Sequence, residues 1–410
     1  MISKVKQRTI FIFLGVIIYM CLGSVYSWSI FRKPLEEILN ISSTESSLPY
    51  MTFLIFYALS MPLAGNFIEK YGPRNITLFG GAIVSLGWFL SSLANSIEML
   101  TVTYGIIGGI GVGIVYGAPM AVSAKWFPNK KGMAVGLTLS GFGLSPFVTA
   151  PISRLLIEYF GVFSSFRILS LAFFIIILIF ALPLRFPNKE EEVEENIIKN
   201  KDTSSDLPLK KVLIDRKFYI LWTCFAIGTF TGLMAIGISS PVAQEIIGLN
   251  PKMSAFSVAL FAVFNGLGRP VFGVITDKIK FEKTAIISFG LIILASIIML
   301  NSGKGNVIFY IVSFSMFWFI LGGWLAIAPT AVSNIFGAKN YARNYGFLFT
   351  AYGVGAVISS VTSGIIKDSF GSYIYVFYPT IVSAIIGILI AVLVLKEKKV
   401  SEIKINTDFN

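Results

Sequence analysis

Apolar residues occur along this chain in runs of about twenty, separated by short polar segments. A helix needs roughly 20 apolar residues to cross the hydrocarbon core of a bilayer. Twelve runs meet this requirement and predict twelve membrane-spanning helices, which we number spans 1 to 12. The predicted spans cover residues 10–31, 49–69, 76–96, 100–124, 132–157, 162–184, 218–243, 255–276, 284–302, 306–333, 344–366 and 372–395.

The pattern predicts an all-α membrane protein of twelve transmembrane helices in two pseudo-symmetric six-helix bundles. The chain has 410 residues, of which 55% are hydrophobic, more apolar surface than one soluble domain buries. Residues 1–184 form the predicted N-terminal bundle and residues 218–396 the C-terminal bundle. A cytoplasmic linker, 185–217, joins them, because a run of lysine and glutamate there gives way to polar residues. Residues 397–410 form the predicted cytoplasmic tail.

The distribution of lysine and arginine predicts the orientation. Cytoplasmic loops of membrane proteins carry an excess of basic residues. Here that excess lies before span 1, after the even-numbered spans and in the linker, whereas the opposite loops contain few basic residues, among them Arg32. We therefore expect both termini in the cytoplasm and the chain in the inner (plasma) membrane. The lipid bilayer also accounts for the net charge of +12, so no nucleic-acid partner is expected.

Composition excludes several kinds of chemistry. The chain has no histidine, the usual neutral-pH proton carrier and metal ligand. Cys21 and Cys224 lie far apart in apolar runs, which favours neither a disulfide framework nor a metal site. No phosphate-binding motif or catalytic constellation occurs. We expect no cofactor, no metal and no enzyme activity, and we expect a monomer.

An internal repeat relates the two halves of the chain at a shift of 208 to 210 residues. The segment APMAVS at 118–123 recurs as APTAVS at 328–333, and residues 158–161 match 368–371. Leu39-Asn40 is matched with Leu249-Asn250. Six spans per repeat keep the same orientation in both halves, which predicts a site between the halves near the middle of the membrane, reached by alternating access.

The loop between spans 2 and 3 resembles the signature of the major facilitator superfamily. It contains Gly65, Glu69, Lys70, Gly72 and Arg74, and a weaker second copy contains Gly273, Asp277 and Lys278. In that superfamily the acidic residue pairs with basic groups and helps to hold the inner ends of the bundle in one state. Over nearly its whole length the chain resembles the oxalate/formate antiporter family and its monocarboxylate-transporter relatives. The matching stretches are residues 23–31, 126–132, 141–143 and 265–270.

Arg269 is the candidate substrate anchor. It lies in span 8, eight residues before Asp277, which is about 12 Å along a helix. An arginine at that depth costs at least about 2.5 to 3.5 kcal/mol unless it faces a cavity or a partner. No acidic residue lies within a predicted span core, and a carboxylate matches the guanidinium in two hydrogen bonds. The alternative is a structural arginine that is satisfied by helix carbonyls. The resemblance also implies that an arginine on span 8 binds the substrate carboxylate.

Two departures from the family pattern bear on the substrate. Oxalate/formate antiporters carry a lysine on span 11 where this chain has Tyr352, and a single cation favours a monocarboxylate over a dicarboxylate. Animal monocarboxylate carriers have an aspartate four residues before the arginine, where this chain has Asn265. Asparagine does not titrate but lies on the same helix face as Arg269 and can orient the guanidinium or the substrate.

Aromatic residues on the expected cavity-lining spans 1, 4, 7, 10 and 11 complete the predicted site. Tyr26, Tyr116, Trp324 and Tyr352 each combine an apolar ring with a hydrogen-bonding tip. For each of them packing is the alternative role, and Trp28 is assigned to packing.

The predicted function is secondary transport of a small organic anion by alternating access, with monocarboxylates such as formate, lactate or pyruvate preferred over dicarboxylates. Exchange or uniport, proton-coupled symport with protons as the coupling ion, and an oxalate/formate-type exchange all remain open. A non-transporting carboxylate sensor is the alternative from another class. Drug export is less favoured, because span 5 lacks a glycine-proline-rich antiporter pattern.

Overall fold

The computed structural model describes residues 2–127, 131–188, 207–337 and 341–407. Within these ranges the chain is helical, without strands, and ten helices are long and apolar enough to cross a membrane. The helices that carry the spans are Ile2–Leu22, Ser43–Ser91, Gly109–Trp126, Lys131–Phe160, Val162–Ala181, Arg216–Val242, Pro251–Leu300, Val307–Phe336, Thr350–Phe370 and Phe377–Thr407. Span 1 continues through the 3₁₀ turn Gly23–Ser27 into the helix Ser29–Leu39.

Shorter helical segments join or extend these helices. They are Ile97–Leu100, the π-helix Thr101–Gly108, Leu209–Val212, the π-helix Ala243–Ile247, Tyr341–Leu348 and the 3₁₀ turn Tyr373–Val376. The predicted linker is described only at 185–188 and 207–217, and its central part, 189–206, lies outside the described residues.

Two of the ten helices contain two spans each, which accounts for the twelve predicted spans. Ser43–Ser91 has 49 residues and is interrupted at Gly72, where φ is 80° and ψ is 157°. Pro251–Leu300 has 50 residues and is interrupted at Lys280, where φ is 67° and ψ is 164°. These dihedrals end one helix and start the next, so the chain reverses between spans 2 and 3 and again between spans 8 and 9. The predicted twelve-helix fold is confirmed.

The internal repeat is visible in the backbone. Gly72 and Lys280 lie 208 positions apart and share the same interruption. At the same shift, left-handed Asn40 corresponds to left-handed Gly248. The sequence match of Asn40 with Asn250 was therefore wrong by two positions. Asn250 instead caps the helix Pro251–Leu300 by accepting from the Met253 N–H at 2.8 Å.

Polar contacts join the two halves at one end of the bundle. We call this the outer end, because the basic-residue distribution predicts that it faces the outside of the cell; it contains the start of span 2 and the end of span 11. The Asp368 carboxylate accepts from the backbone N–H groups of Ser43 at 3.1 Å and Thr44 at 3.0 Å. Lys33 forms an ion pair with Glu245 at 3.3 Å. The outer end is thus closed by charged contacts between spans 1–6 and spans 7–12.

Small residues allow the spans to approach closely at mid-membrane. A Cβ on Gly141 would lie 2.3 Å from the Val16 carbonyl oxygen, so spans 1 and 5 are in backbone contact. A Cβ on Gly268 would lie 2.0 Å from the Phe319 carbonyl oxygen, so spans 8 and 10 are equally close. Glycine permits such contacts because it has no side chain. A third glycine contact joins the two halves: a Cβ on Gly143 of span 5 would lie 3.4 Å from the backbone nitrogen of Gly266 on span 8, the span that carries the predicted anchor.

Candidate functional site

Arg269 lies at the contact between spans 5 and 8 and is 4% exposed. Its Nη1 donates to the carbonyl oxygen of Leu139 on span 5. Within the described residues, Nε and Nη2 are buried without a hydrogen-bond partner. These two nitrogens share one edge of the planar guanidinium, the edge that takes a carboxylate in two parallel bonds. The structure therefore leaves a complete carboxylate-binding edge unpaired.

Arg32 provides a comparison inside the same molecule. The sequence placed it in an outer loop, but it is 1% exposed, because span 1 continues as helix to Leu39. Its three nitrogens donate to three oxygens, those of the Ser46 hydroxyl and of the Ser43 and Gly237 carbonyls. Its Nη2 also lies 3.7 Å from the Glu36 carboxylate. Arg269 is thus not the sole buried arginine, and the two differ in that Arg32 is paired at every nitrogen.

Asn265 lies one turn before Arg269 and is fully buried. Its Nδ2 donates to the Trp318 carbonyl oxygen at 3.0 Å. Its Oδ1 has no hydrogen-bond partner among the residues that the structure describes. A Cβ on Gly143 would lie 2.6 Å from this Oδ1 and 3.4 Å from Nη2 of Arg269. The unpaired acceptor Oδ1 of Asn265 and the unpaired donor Nη2 of Arg269 therefore both lie next to Gly143 of span 5.

Two of the predicted tyrosines meet between the halves. The hydroxyl oxygens of Tyr26 on span 1 and Tyr352 on span 11 are 2.7 Å apart and hydrogen-bonded. Phe142 lies three residues after Leu139, whose carbonyl oxygen Arg269 binds, and its ring packs against Tyr26 at 5.2 Å and Tyr116 at 5.6 Å. The predicted residues Arg269, Tyr26, Tyr116 and Tyr352 are thus brought together.

Further aromatic residues in this cluster were missed from the sequence. Tyr57 on span 2 contacts Tyr116 at 5.1 Å and Tyr352 at 5.8 Å between ring centroids. Phe142 lies between the glycines of span 5 and packs against Tyr26 at 5.2 Å. The other members are Tyr19, Trp318 and Phe349. Span 2 was not counted among the cavity-lining spans, although the seven-residue spacing of Tyr50 and Tyr57 places them on one helix face.

Trp324 lies apart from this cluster. Its indole packs against Phe289 at 5.3 Å and lies so close to Gly228 that a Cβ there would collide with it. These neighbours belong to spans 9 and 7, so Trp324 packs within the second half. Trp318, six residues earlier, is the span 10 tryptophan that contacts Tyr26, at 6.4 Å.

The signature residues occupy the end opposite the outer end. Gly72 forms the reversal between spans 2 and 3, and Lys70 lies over the Tyr71 ring at 5.1 Å. Arg74 is exposed on the following helix. In the second copy Gly273 is half-buried and Asp277 and Lys278 are exposed. The side chain of Glu69 and the surroundings of Gly65 lie outside the described part of the structure, so the predicted pairing of the acid stays a prediction.

Comparisons with known proteins agree with this architecture. The model of the Major Facilitator Superfamily matches residues 10–330. The chain is 31% identical to the oxalate:formate antiporter of Oxalobacter formigenes over 89% of its own length and 86% of that protein. It is 26% identical to monocarboxylate transporter 12 of Xenopus laevis, covering 76% and 72% of the two chains.

A solved structure shows the same fold at low sequence identity. It is a bacterial homolog of the human lysosomal transporter Spinster in an inward-facing and occupied conformation, with a TM-score of 0.72 and 14% identity. The match covers 93% of this chain and 95% of that one. With twelve spans in a repeat of six and these relatives, the chain belongs to the Major Facilitator Superfamily, as a multi-pass membrane transporter related to the oxalate/formate antiporter and the monocarboxylate transporters.

Proposed function

We propose that this transporter carries small monocarboxylates and that Arg269 binds the carboxylate through its Nε and Nη2. The supporting observation is the unpaired edge of a guanidinium that is otherwise buried between spans 5 and 8. A buried cation without a counter-charge is costly, and an anionic ligand offsets that cost. The contrast with Arg32, which is paired at every nitrogen, argues against a purely structural role for Arg269.

The alternative of a structural arginine accounts for one nitrogen only. Nη1 does bond a helix carbonyl, that of Leu139. Because Leu139 belongs to the first half and Arg269 to the second, this bond also ties the two halves together beside the proposed site. Carboxylate binding on the opposite edge would leave that tie in place and close the halves around the substrate.

A monocarboxylate is favoured over a dicarboxylate because the facing position on span 11 is a phenol. Tyr352 is neutral near pH 7 and its hydroxyl is engaged by Tyr26 at 2.7 Å. A second carboxylate would enter this aromatic cluster without a cation of its own. The relatives named for oxalate, formate and monocarboxylates support the general class of substrate.

We further propose exchange or uniport rather than protein-mediated proton coupling. Among the described residues, the groups next to the guanidinium are the Leu139 carbonyl and the Asn265 amide, and the phenols of Tyr26 and Tyr116 lie in the adjoining aromatic cluster; none of these groups ordinarily ionises near neutral pH. Uptake of labelled formate into proteoliposomes, with and without an imposed pH gradient, tests this point. A rate that follows the pH gradient would favour symport. The proposed orientation in the plasma membrane, with both termini cytoplasmic, rests on the basic-residue distribution.

The decisive experiment is counterflow of labelled formate and lactate in proteoliposomes that contain Arg269→Ala or Arg269→Lys. Lysine keeps the charge but loses the two-bond geometry. We expect both variants to lose flux by about a hundredfold or more, since two charge-assisted hydrogen bonds are lost. Arg167→Ala, at an exposed arginine on span 6, is the matched control and should transport normally.

Protein quality has to be separated from binding in this experiment. Wild-type protein should gain thermal stability when lactate is added, and the Arg269 variants should remain folded but show no such gain. Normal counterflow by Arg269→Ala would overturn the proposed anchor.

A further inference from the structure

The orientation of the Asn265 side chain determines which of its atoms faces Arg269. Nδ2 donates to the Trp318 carbonyl oxygen at 3.0 Å. The flipped amide would place Oδ1 against that carbonyl, where two acceptors repel each other. Oδ1 is therefore the atom that points towards span 5. It is a fully buried acceptor with no hydrogen-bond partner in the described part of the chain.

Gly143 brings this acceptor next to the unpaired edge of Arg269. Both Oδ1 of Asn265 and Nη2 of Arg269 lie within 3.4 Å of the position that a Cβ on Gly143 would occupy. The site thus presents two cationic donors, Nε and Nη2, beside one neutral acceptor. A ligand that satisfies all three atoms needs an anionic oxygen pair and an O–H or N–H donor close to it.

We infer that the substrates of this transporter are 2-hydroxycarboxylates such as glycolate and lactate, selected over the corresponding 2-oxo acids. This inference rests on the proposed function of Arg269. The hydroxyl of a 2-hydroxy acid is on the carbon next to the carboxylate and donates to Oδ1 of Asn265 while the carboxylate binds the guanidinium. The keto oxygen of a 2-oxo acid can only accept, so it leaves Oδ1 unpaired and repelled.

Other small acids fit this arrangement less well. Formate and acetate lack a second polar group, so binding them leaves Oδ1 buried and unsatisfied. A 2-amino acid supplies an N–H donor, but its ammonium brings a positive charge next to Arg269. A Cβ on Gly143 would lie only 2.6 Å from Oδ1 of Asn265, so the space beside span 5 admits only a compact group at the 2-position.

The test compares matched pairs of acids that differ only at the 2-position. Counterflow of lactate against pyruvate, and of 2-hydroxybutyrate against 2-oxobutyrate, is measured with wild-type protein in proteoliposomes. We expect kcat/KM for the hydroxy acid to exceed that for the oxo acid by about tenfold or more. In Asn265→Ala the preference should disappear, mainly through slower transport of the hydroxy acid. Asn301→Ala, at an exposed asparagine that bonds only its own helix, should keep the wild-type preference.

The outcomes separate this inference from the function on which it depends. Equal transport of both acids by wild-type protein, with flux still lost in Arg269→Lys, would overturn the hydroxyl selectivity and leave the carboxylate anchor intact. An unchanged preference in Asn265→Ala would also overturn it. If Arg269→Lys carried both acids normally, the proposed function itself would be wrong. The wild-type ratio is informative even if Asn265→Ala does not fold.

Discussion

The proposed site depends on two side chains, Arg269 and Asn265, in each of which some polar atoms have hydrogen-bond partners and others, within the described structure, do not. Arg269 and Asn265 each use one nitrogen for a backbone carbonyl and keep other atoms unpaired within the described structure. The used atoms fix the orientation of each side chain, and the unpaired atoms remain available to a ligand. Such a division is typical of binding sites that are organised before the ligand arrives.

Tyr352 marks the position at which a second cation would change the class of substrate. In Tyr352→Lys the bond to Tyr26 is lost, and a buried ammonium is introduced that needs an anion. We expect oxalate to compete with labelled lactate about ten- to hundredfold better in this variant than in wild-type protein, since a charge-assisted hydrogen bond contributes about 1.5–3 kcal/mol. Inhibition of counterflow by oxalate measures this change.

Tyr352→Phe is the control for this prediction. It removes the hydroxyl and the bond to Tyr26 but keeps the ring stacked on Phe349, whose centroid is 4.8 Å away. Its selectivity should stay that of a monocarboxylate carrier. The interpretation of span 11 fails if oxalate inhibits Tyr352→Lys no better than it inhibits Tyr352→Phe.

Among individual residues, the proposed anchor Arg269 could be predicted from the sequence, but the positions of Trp324, Trp318 and Arg32 could not. Arg269 could be found because a cation inside an apolar run is conspicuous on its own. Trp324 and Trp318 could not be distinguished, because both lie in span 10 and only the packing of the neighbouring helices decides which face meets the other half. Arg32 was assigned to a loop because charged residues lowered the hydropathy there. Its helix in fact continues, with the apolar Phe31 and Leu35 buried.

At the scale of helices, the chain reverses direction at Gly72 and at Lys280 with similar backbone angles, although one residue is glycine and the other is lysine. The backbone at Lys280, with φ 67° and ψ 164°, lies in a region that is populated almost only by glycine. A lysine there costs about 1–3 kcal/mol, whereas its repeat counterpart, Gly72, adopts similar angles without that cost. The repeat predicts where the chain turns, but the sequence gives no sign that the second turn is strained.

Replacing Lys280 by glycine should therefore stabilise the protein. Glycine relieves the strain and loses about 0.5–1 kcal/mol through the greater freedom of the unfolded chain, so we expect a net gain of about 1 kcal/mol. A higher thermal unfolding temperature of the purified protein in detergent is the measurement. Gly72→Lys should lower that temperature, because it introduces the same strain into the first repeat.

Lys278→Gly is the matched control, since Lys278 is exposed, carries the same charge and lies two residues earlier in the helix. Glycine in a helix is unfavourable by roughly 1 kcal/mol, so this variant should be less stable than wild type. A loss of stability in Lys280→Gly equal to that in Lys278→Gly would show that the backbone at 280 is not strained.

For the whole molecule, the closure of the outer end depends on charged groups that cross between the halves. Asp368 on span 11 accepts two backbone N–H groups at the start of span 2. Those N–H groups belong to the first turn of a helix, where they have no partner in the helix itself and the helix dipole favours an anion. The sequence match of residues 158–161 with 368–371 correctly related two helix ends, each followed by a glycine with positive φ. It could not show that one of the two acids reaches across to the other half.

Asp368 bonds the other half of the molecule, whereas its repeat counterpart Glu158 pairs within its own helix. We therefore predict that Asp368 helps to keep the outer end closed. Asp368→Ala removes both bonds to Ser43 and Thr44, and each charge-assisted bond contributes about 1.5–3 kcal/mol. We expect the ratio of outward-open to outward-closed molecules to rise by about tenfold or more. Spin labels at the exposed outer-end positions Ile38 and Tyr375, introduced as cysteines, report the separation of the halves by pulsed electron resonance. The native cysteines, Cys21 and Cys224, are buried and should label little.

Glu158→Ala is the control, because Glu158 is the repeat counterpart of Asp368 but pairs with Arg154 of its own helix, at 3.9 Å. Its loss should leave the distance distribution unchanged. If Asp368→Ala lengthens the distance across the outer end and Glu158→Ala does not, a carboxylate that crosses between the halves holds that end closed. If the two variants give the same distribution, the outer closure depends on the remaining contacts, of which Lys33 with Glu245 and Arg32 with the Gly237 carbonyl are the candidates.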